Sequence, residues 1–416
     1  MVMFQTENSR CRFCGNTLEI VKNLGNLGSC GTFLEPGIEL SDSGDLKLAI
    51  CDYCGLVQLK DNFNQASLYN EDYGYNSSLN SSMVSHLLQI AQKLSHIAKQ
   101  IGLKQVKHLD IGSNDATLIN LSNEAFEYAG CVAVDQLGID PSAFKYQANY
   151  RNSNLLLELF TYELSENLNQ KFDVITSIAM LYDLPNPKNF FSGVKNILEP
   201  HGVWITEQSY IFSMMEQNAF DTICHEHLEY YSVQDIDNLC RSVGLEIFDV
   251  EFNEVNGGSF RLYIQHQGGT KKISEEIPLI LANEKKRNKS VELVEMFNRV
   301  EILKMQTLNF LHDCKYRGRE VHGYGASTKG NTLLQYYGIT NSEIKYIAEV
   351  NKNKFGKITP GSKIPIISEE LSKSLKPFAY LILPWHFSTS ILEKERDFIN
   401  VTGTRFGFPL PEWKLV

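Results

Sequence analysis

The sequence lacks the features that would place the protein in a membrane, outside the cell or on nucleic acid. No apolar run is long enough to cross a bilayer, and the first residues have neither the basic segment nor the apolar core of a secretory signal. The net charge of −10 gives no broad attraction to nucleic acid. We therefore expect a cytoplasmic monomer without nucleic-acid or membrane partners.

Two common catalytic motifs are also absent. The zinc-protease helix motif needs two histidines four residues apart, whereas His225 and His227 are two apart. No Gly-x-Gly-x-x-Gly follows the first strand predicted in the central region, which counts against a nicotinamide dinucleotide there. The nine cysteines, in a chain without a secretory signal, indicate thiols or metal ligands rather than a disulfide framework.

Four cysteines form two matching pairs near the start of the chain. Cys11-Arg-Phe-Cys14-Gly and Cys51-Asp-Tyr-Cys54-Gly each read Cys-x-x-Cys-Gly. In such a knuckle two thiolates bind one ion from a tight turn, and the glycine adopts the positive φ that the turn needs. Two knuckles leave no open coordination position, so we predict structural zinc. A zinc ribbon that binds nucleic acid is the weaker alternative, because acidic residues outnumber Lys and Arg between the knuckles.

The central region has the pattern of a parallel α/β sheet. Apolar residues recur at helical spacing over residues 79–102, and a short apolar strand then ends at Asp110 before a turn at Gly112. A second strand ends in an acid, Asp135 or Asp140, which can bind the two hydroxyls of a ribose. Further strands alternate with helices, as in a doubly wound sheet with its ligand at the carboxyl ends of the strands.

The densest group of ionisable residues is the run Cys224-His225-Glu226-His227. Groups that titrate near neutrality are those that general acid–base catalysis needs. The alternative is a pair of structural histidines, since most single histidines lie at the surface or are satisfied in the core. In an extended segment the two histidines would share one face, with Glu226 on the other, whereas in a loop they would not.

Two further segments have open interpretations. The segment 68–78 is rich in tyrosine and hydroxyl groups, so it is either a turn-rich linker or a lid over a substrate. After a charged helical connector over 271–311, a strand and a turn at Gly323 and Gly325 open a helix, which suits a phosphate. A dehydrogenase is the alternative there, and it is weakened because Thr328 stands where the dinucleotide fingerprint has its third glycine.

The motifs together resemble one enzyme family. Asp110-Ile-Gly-Ser-Asn-Asp looks like the first motif of class I S-adenosylmethionine (SAM) methyltransferases. The chain also has the knuckles before this motif and His225-Glu-His, Asn256-Gly-Gly-Ser-Phe-Arg and Gly323-Tyr-Gly-Ala-Ser-Thr-Lys-Gly-Asn-Thr behind it. In this order it resembles, over nearly its whole length, the sugar C-methyltransferases that act on nucleotide-linked 4-keto-6-deoxysugars.

The resemblance implies an α/β fold in three parts, in keeping with the two or three domains expected for 416 residues. These are a zinc-binding domain over 1–75, a class I methyltransferase Rossmann-like domain over 76–270 and a Rossmann-like nucleotide-sugar-binding domain over 271–416. The implied cofactors are SAM and structural zinc (Zn2+), and the implied substrate is a small-molecule dTDP- or GDP-linked sugar. An NAD-dependent oxidoreductase and a non-catalytic zinc-ribbon protein are the alternatives.

The resemblance also implies a reaction and a set of site residues. A base removes the proton from the sugar carbon beside the C4 ketone, taken as C3, and the enolate attacks the SAM methyl group. The family base matches His227, with Glu226 as its orienting or substrate-binding neighbour, and Tyr75 matches an active-site tyrosine, which favours the lid. The candidates are His227, Glu226, Tyr75, His225 and Cys224 for catalysis; Asp110, Gly112, Ser113, Asn114, Asp115, Asp140 and Tyr182 for SAM; Asn256, Ser259, Arg261, Tyr324, Ser327, Lys329 and Asn331 for substrate; and Cys11, Cys14, Cys51 and Cys54 for zinc.

Three departures from the family pattern bear on the substrate. Many relatives have tyrosine where Cys224 stands, and Ala116 replaces the second glycine of the SAM motif. Relatives often show Asn and His in the loop where this chain has Ala179 and Asp183. Because that loop faces the methyl group and the sugar in the family, we expect SAM dependence to survive and the substrate, or the hydrogen bonding to its keto group, to differ.

Overall fold

The strands of the protein form one two-stranded pair and three larger sheets. The structure, a computed structural model, describes residues 5–38, 42–69 and 75–416. Among these residues no helix combines the length and the apolar character needed to span a membrane.

The N-terminal part is built from short strands around the cysteine knuckles. Its elements are β1 Gln5–Glu7, β2 Leu18–Gly28, β3 Ser43–Cys51, β4 Val57–Leu59, β5 Asp61–Phe63 and α1 Gln65–Leu68. Strands β2, β3 and β4 are antiparallel neighbours, and β1 pairs with β5. The first knuckle precedes β2 and the second connects β3 to β4, so the sheet brings the knuckles together.

The central part is a seven-stranded sheet with helices. Its elements are α2 Ser81–Gln100, β6 Gln105–Ile111, α3 Thr117–Tyr128, β7 Val132–Ile139, β8 Asn154–Leu156, α4 Tyr162–Asn167, β9 Phe172–Ile178, α5 Pro187–Ile197, β10 Leu198–Ser209, α6 Ile211–Glu216, β11 Glu229–Tyr230, α7 Val233–Val243, β12 Leu245–Asn253 and β13 Ser259–His266. The strand order is β12-β13-β10-β9-β6-β7-β8, and β13 is antiparallel to both of its neighbours. The predicted Rossmann-like sheet and the helix predicted over 79–102 are confirmed.

The C-terminal part contains a second, mainly parallel sheet behind two helices. Its elements are α8 Glu276–Glu284, α9 Lys289–Tyr316, β14 Val321–Tyr324, α10 Thr328–Tyr337, β15 Ile347–Glu349, β16 Ile366–Ser368, α11 Glu369–Ser374, β17 Ala379–Ile382, α12 Ser388–Thr402, β18 Arg405–Phe408 and β19 Lys414–Leu415. The strand order is β16-β15-β14-β17-β18-β19, and only the β18–β19 pair is antiparallel. The predicted second Rossmann-like sheet and the charged helical connector are both present.

Strand β11 links the central part to the N-terminal sheet. It follows the His-Glu-His run directly, yet it pairs with β4 and completes the sheet order β11-β4-β3-β2. Behind β11, Ser232 and Asp235 form a capping box that starts α7. Lys289, at the start of α9, donates to Asp235 (2.6 Å) and to the Gly55 carbonyl (3.2 Å). The run Cys224-His225-Glu226-His227 is therefore fixed where all three parts of the chain meet.

One apolar core joins the N-terminal and C-terminal parts. Side chains of β3 and β4, including Leu48 and Val57, belong to the same buried cluster as Phe212 of α6, Leu293 of α9 and Leu333 of α10. Closely packed interiors have few voids and resist displacement. The shared core therefore holds the N-terminal sheet against the rest of the molecule.

Candidate active site

The four knuckle thiols meet at one point. Their Sγ atoms lie within 4.8 Å of one another, with 3.6 Å between Cys11 and Cys54 and 3.4 Å between Cys14 and Cys51. Four thiolates bound to zinc at about 2.3 Å stand about 3.8 Å apart in a tetrahedron, so the cluster fits a zinc ion. The glycine after each knuckle has a φ of 74° or 73°, as the turn requires. With four protein ligands the site is closed and structural.

A cavity of about 270 Å³ opens at the carboxyl ends of the parallel strands of the central sheet. Its wall contains five of the residues predicted to bind SAM, namely Asp110, Gly112, Ser113, Asn114 and Asp140. Ligands of doubly wound sheets bind at this edge, and the volume is close to the lower end, about 300 Å³, of small-molecule sites. The cavity therefore fits the SAM site expected from the sequence.

The turn after β6 contains three residues in left-handed conformation, Gly112, Asn114 and Ala116. Gly112 has a φ of 76°, and a Cβ there would lie 3.0 Å from Met180. Ala116 has a φ of 69°, which costs an alanine about 1 kcal/mol relative to glycine. Alanine at this position therefore strains the backbone slightly, and the turn keeps its shape.

The acid at the end of the second strand is Asp140. Strand β7 runs through Asp135, so Asp135 is not at a strand end, whereas Asp140 follows its last residue. The Asp140 carboxylate accepts the N–H of Asn114 (2.9 Å) and of Ser142 (2.7 Å). These bonds hold Asp140 against the turn that follows β6, beside the position expected for a ribose.

Asp110 is buried below the same turn. Burial raises the pKa of its carboxyl to about 7, and the hydroxyl of Thr176 donates to it at 2.7 Å. Asp115, predicted as a SAM ligand, instead accepts the N–H groups of Thr117 (3.2 Å) and Ser78 (2.9 Å) and is absent from the cavity wall. Its role in the structure is to fasten the segment before α2 to the turn.

Glu207, near the end of β10, lines the cavity and was missed by the sequence reasoning. Its carboxylate contacts His86 Nε2 at 2.5 Å and accepts from Arg261 Nε at 2.8 Å. Arg261 also pairs with Glu251 (3.3 Å), so its donors are directed at these two carboxylates, and its predicted contact with substrate stays a prediction. The signal available in the sequence was an acid closing a buried apolar strand.

His227 is the one residue of the segment 218–233 that is not buried. Its Nδ1 lies 2.7 Å from the Thr222 carbonyl, which can only accept, so Nδ1 carries the proton and Nε2 keeps its lone pair. Burial of the ring, assisted by the positive charge of Lys329, lowers the pKa of His227 to about 4, although the hydrogen bond to the Thr222 carbonyl opposes the shift. At neutral pH the imidazole is thus neutral and can accept a proton.

The run around His227 is a turn, not an extended segment. The N–H of His227 donates to the Cys224 carbonyl at 3.2 Å, so the two histidines do not share a face. His225 is fully buried towards the N-terminal sheet, with Nε2 3.4 Å from the Gly44 carbonyl and its ring edge-on to Phe63 at 4.8 Å. The turn therefore separates His225 from the cavity side.

Cys224 and Glu226 are buried inside the same turn. Burial raises the pKa of both groups, and the Cys224 thiol hydrogen-bonds to the Glu226 carboxyl. Glu226 lies so close to Gly31 that a Cβ on that glycine would stand 2.5 Å from Oε1. Both side chains pack against the loop after β2, away from the surface of the cavity.

The loop after β9 separates the cavity from His227. The ring of Tyr182 lies 4.3 Å from that of His227 and outside the wall of the SAM cavity, and its predicted contact with SAM stays a prediction. Its neighbour Asp183 does line the cavity, and its Oδ1 has no hydrogen-bond partner among the residues the structure describes. Ala179 has a φ of 55°, which aims this loop at the cavity.

Tyr75 lines the SAM cavity with its side chain half-exposed. Its carbonyl accepts from the side chain of Asn114 at 3.4 Å. Residues 70–74 of the predicted lid, including Tyr73, lie outside the described residues. The structure thus places the end of that segment over the cavity entrance.

Two of the predicted substrate residues lie where the central and C-terminal parts meet. Asn256 lines the cavity, and Lys329 Nζ donates to its carbonyl at 2.9 Å. Asp221 accepts a hydrogen bond from Trp385 Nε1 at 2.7 Å and lies near Lys329. Burial raises the pKa of Asp221 to about 6, and the positive charge of Lys329 opposes this rise. A buried cation therefore faces the His227 side of the cavity.

The other predicted substrate residues make hydrogen bonds that hold the fold. These are Ser259 to the Val255 carbonyl (2.8 Å), Tyr324 to Glu395 (3.1 Å), Ser327 from the N–H of Gly330 (3.0 Å) and Asn331 to the Cys30 carbonyl (2.7 Å). Tyr324 also packs edge-on against Tyr380, and its predicted contact with substrate stays a prediction.

Comparison with known proteins places all three parts of the chain. A zinc-binding-domain profile matches residues 11–69, a methyltransferase-domain profile matches 69–250, and a profile described as the C-methyltransferase C-terminal domain matches 254–411. The chain is 29% identical to C-methyltransferase NovU of Streptomyces niveus over 98% of this chain and 96% of that protein.

Solved structures give a fainter likeness. A SAM-dependent methyltransferase from Clostridium acetobutylicum is 14% identical, with a TM-score of 0.33 over 42% of this chain and 90% of that one. Magnesium protoporphyrin IX methyltransferase from Synechocystis, solved with bound SAM, is 13% identical, with a TM-score of 0.33 over 49% of this chain and 89% of that one. At these TM-scores the likeness carries no argument.

Three consecutive domain matches, the full-length relative, the seven-stranded sheet with its cavity and the four-cysteine cluster agree with one another. The chain belongs to the SAM-dependent C-methyltransferases that carry an N-terminal zinc-binding domain.

Proposed function

We propose that the protein methylates C3, beside the C4 ketone, of a nucleotide-linked 4-keto-6-deoxysugar, with His227 as the base. The observation that carries the proposal is the state of His227. It is the accessible residue of an otherwise buried turn, and its Nδ1–H is held by the Thr222 carbonyl. A positioned neutral imidazole can take a proton from a carbon next to a ketone without a metal.

The residues around His227 suit the charge changes of that reaction. Bound SAM supplies an electrophilic methyl group. Lys329 supplies positive charge close to His227, which disfavours protonation of the ring before substrate binds and stabilises negative charge on the substrate oxygen as the proton leaves. Asp183 presents a buried carboxyl oxygen to the cavity. These groups surround the space between the cavity and the C-terminal part.

Glu226 and His225 serve the turn rather than the proton transfer in this proposal. Glu226 is buried against Gly31 and His225 against Phe63, so both hold the turn in shape. Cys224 leaves less side-chain volume in the turn than the tyrosine of many relatives. Tyr75, together with Tyr69 and Ser77 of the proposed lid, lines the cavity.

The dehydrogenase alternative is disfavoured by Glu349, the acid at the end of β15. In dinucleotide folds that acid binds the ribose hydroxyls. Here its carboxylate accepts the N–H groups of Ala326 (2.8 Å), Val350 (2.7 Å) and Asn351 (2.9 Å). Lys354 also donates to the Ala326 carbonyl (2.7 Å), so the glycine-rich turn is tied to its own lobe.

The substrate class is tested by mass spectrometry of methyl transfer. Purified protein with SAM should add one methyl group to a member of a panel of dTDP-, GDP- and UDP-linked 4-keto-6-deoxysugars, with the matching 4-hydroxy sugars as controls. The 4-hydroxy sugars should stay unmethylated because they cannot form an enolate. Equal methylation of the keto and hydroxy forms would contradict the proposal.

The SAM site is tested by replacing Asp140, which follows β7, and by replacing Asp135, which lies within β7, as the control. Asp140→Ala should weaken SAM and S-adenosylhomocysteine binding in calorimetry about tenfold or more, because the N–H groups of Asn114 and Ser142 lose their acceptor. Asp135→Ala, in the same strand, is the control and should bind as the wild type does. Unchanged affinity of Asp140→Ala would place SAM elsewhere.

The base is tested by His227→Ala. Turnover should fall about 100- to 10,000-fold, the usual contribution of a general base, while SAM affinity is retained. His312→Ala, an exposed histidine of α9, is the control with unchanged turnover. Turnover of His227→Ala within a few fold of the wild type would assign the proton to another group.

The pH dependence follows from the lowered pKa of His227. The base works only when it is unprotonated, so with a pKa of about 4 the rate should stay level as the pH falls from 7 towards 5 and decline only below that. An ordinary histidine would lose half of its activity at about pH 6.5. We expect kcat/KM to show the lower midpoint, with circular dichroism at each pH to check folding. A midpoint near 6.5 in folded protein would contradict the proposal.

A further inference from the structure

Arg12 lies between the first two cysteines of the zinc cluster, and its guanidinium is buried beneath the knuckle. The side chain is 1% exposed. It donates to the carbonyls of Leu59 (2.5 Å) and Asp61 (2.8 Å) and to the side chain of Asn62 (2.7 Å). A buried guanidinium is stable only when its donors are satisfied, and most of these partners are carbonyls of the segment at β4 and β5.

The same guanidinium contacts the residues that follow His227. Its Nη1 lies 3.4 Å from the Leu228 carbonyl, and its Nε lies 3.6 Å from Glu229 Oε1. Glu229 is fully buried, and within the described part of the chain neither of its carboxyl oxygens has a hydrogen-bond partner. Arg12 is therefore the cation that faces this buried carboxyl.

Arg12 is also tied to the metal side. Its backbone N–H donates to Gln58 Oε1 (3.0 Å), and Nε2 of the same Gln58 donates to Cys11 Sγ (3.2 Å). With Cys11 and Cys14 bound to one zinc ion, the two residues between them have little freedom. The knuckle thus sets where the guanidinium stands.

Leu228 is held from two sides, directly after His227. Its carbonyl accepts the N–H of Leu59 (2.8 Å) as well as Arg12, and its own N–H donates to the Tyr182 carbonyl (2.6 Å). The Tyr182 ring in turn packs on His227 at 4.3 Å. A displacement of Leu228 would move His227 and its aromatic neighbour together.

We propose that Arg12 is a positioning residue that couples the zinc knuckle to the catalytic turn, so that metal binding sets the place of His227. The catalytic consequence rests on the proposed function, whereas the mechanical coupling does not. The path runs from Cys11 through Gln58 and Arg12 to Leu228 and Glu229. The zinc is thereby more than a substitute for a hydrophobic core, because it fixes one end of the active site.

An arginine is needed here for two reasons. Strand β11 has two residues, so its backbone hydrogen bonds to β4 are too few to fix its register. The guanidinium of Arg12 adds hydrogen bonds that tie this segment to the neighbouring strand β4. It also compensates Glu229, since a buried carboxyl that loses its partner is strongly destabilising. A methionine fills a similar volume and can do neither.

The coupling is tested by hydrogen exchange of the full-length protein. Arg12→Met should raise deuterium uptake in the backbone of residues 224–231 and leave uptake in α3 unchanged. Chelation of zinc from the wild type should raise uptake in the same segment. Arg10→Met is the matched control: Arg10 directly precedes the same knuckle, is exposed, and among the described residues its guanidinium donates only to the Gly15 carbonyl (3.1 Å).

The catalytic consequence is tested by kinetics on the same variants. A small displacement of a positioned base can cost about 100-fold in rate, so Arg12→Met should lower kcat at least about tenfold with an unchanged KM for SAM. Glu229→Gln, combined with Arg12→Met, should restore part of kcat, because the unpaired buried carboxylate is gone. A residue that only stabilised the fold would change exchange throughout the molecule and would give no such rescue.

The outcomes separate the two proposals. If uptake in 224–231 and kcat of Arg12→Met equal those of Arg10→Met while zinc content is the same, the coupling is refuted. If Arg12→Met loses zinc, Arg12→Lys, which keeps the charge but not the fork, takes its place with the same expectations. If no nucleotide sugar is methylated by the wild type, the proposed function fails, and the exchange measurement still decides the coupling.

Discussion

The pairing of β11 with β4 is the contact on which the rest of the site depends. Two residues of the central part leave their own sheet and complete the N-terminal one. The turn that contains His227 precedes this pair directly, so its position is decided by the zinc-bound sheet rather than by the methyltransferase sheet. The SAM cavity, in contrast, is lined mainly by strand ends, loops and helices of the central part.

Burial gives the site its chemistry. The ring of His227 has a lowered pKa because desolvation disfavours its charged form, and the same effect raises the pKa values of Asp183 and Glu226. The charge of Lys329 also lowers the pKa of His227, and Arg12 is the cation that faces Glu229. The result is a neutral imidazole near buried carboxyl groups whose charged forms are disfavoured.

The C-terminal sheet contributes a wall rather than a second dinucleotide site. Its glycine-rich turn is closed on its own lobe by Glu349 and Lys354, and Asn331 is bound to the loop after β2. Lys329, from the first turn of α10, is the group that reaches the central part. A motif that reads as a phosphate cradle in sequence therefore serves mainly to hold three parts of the chain together.

Much of this protein was readable from local pattern. Knuckle spacing, helical periodicity over 79–102 and strands ending in acids are short-range features, and the zinc cluster, α2, the Rossmann-like sheets and the turn at Gly112 all follow from them. The sequence could not decide between Asp135 and Asp140, because a bulged strand continues through the first acid. It also gave no sign that Arg261 and Tyr324 each hydrogen-bond to a buried carboxylate far away in the chain.

The sequence by itself determined which residue types were present to bind zinc, to hold a cofactor at strand ends and to take a proton. Only the tertiary structure decided which histidine is partly accessible, because residues 224–227 form a turn that buries His225 towards the N-terminal sheet and leaves His227 partly exposed. It alone revealed that Arg12 contacts Leu228 and Glu229, since Arg12 lies more than two hundred residues before them in the chain and the segments meet beside the β11–β4 pair.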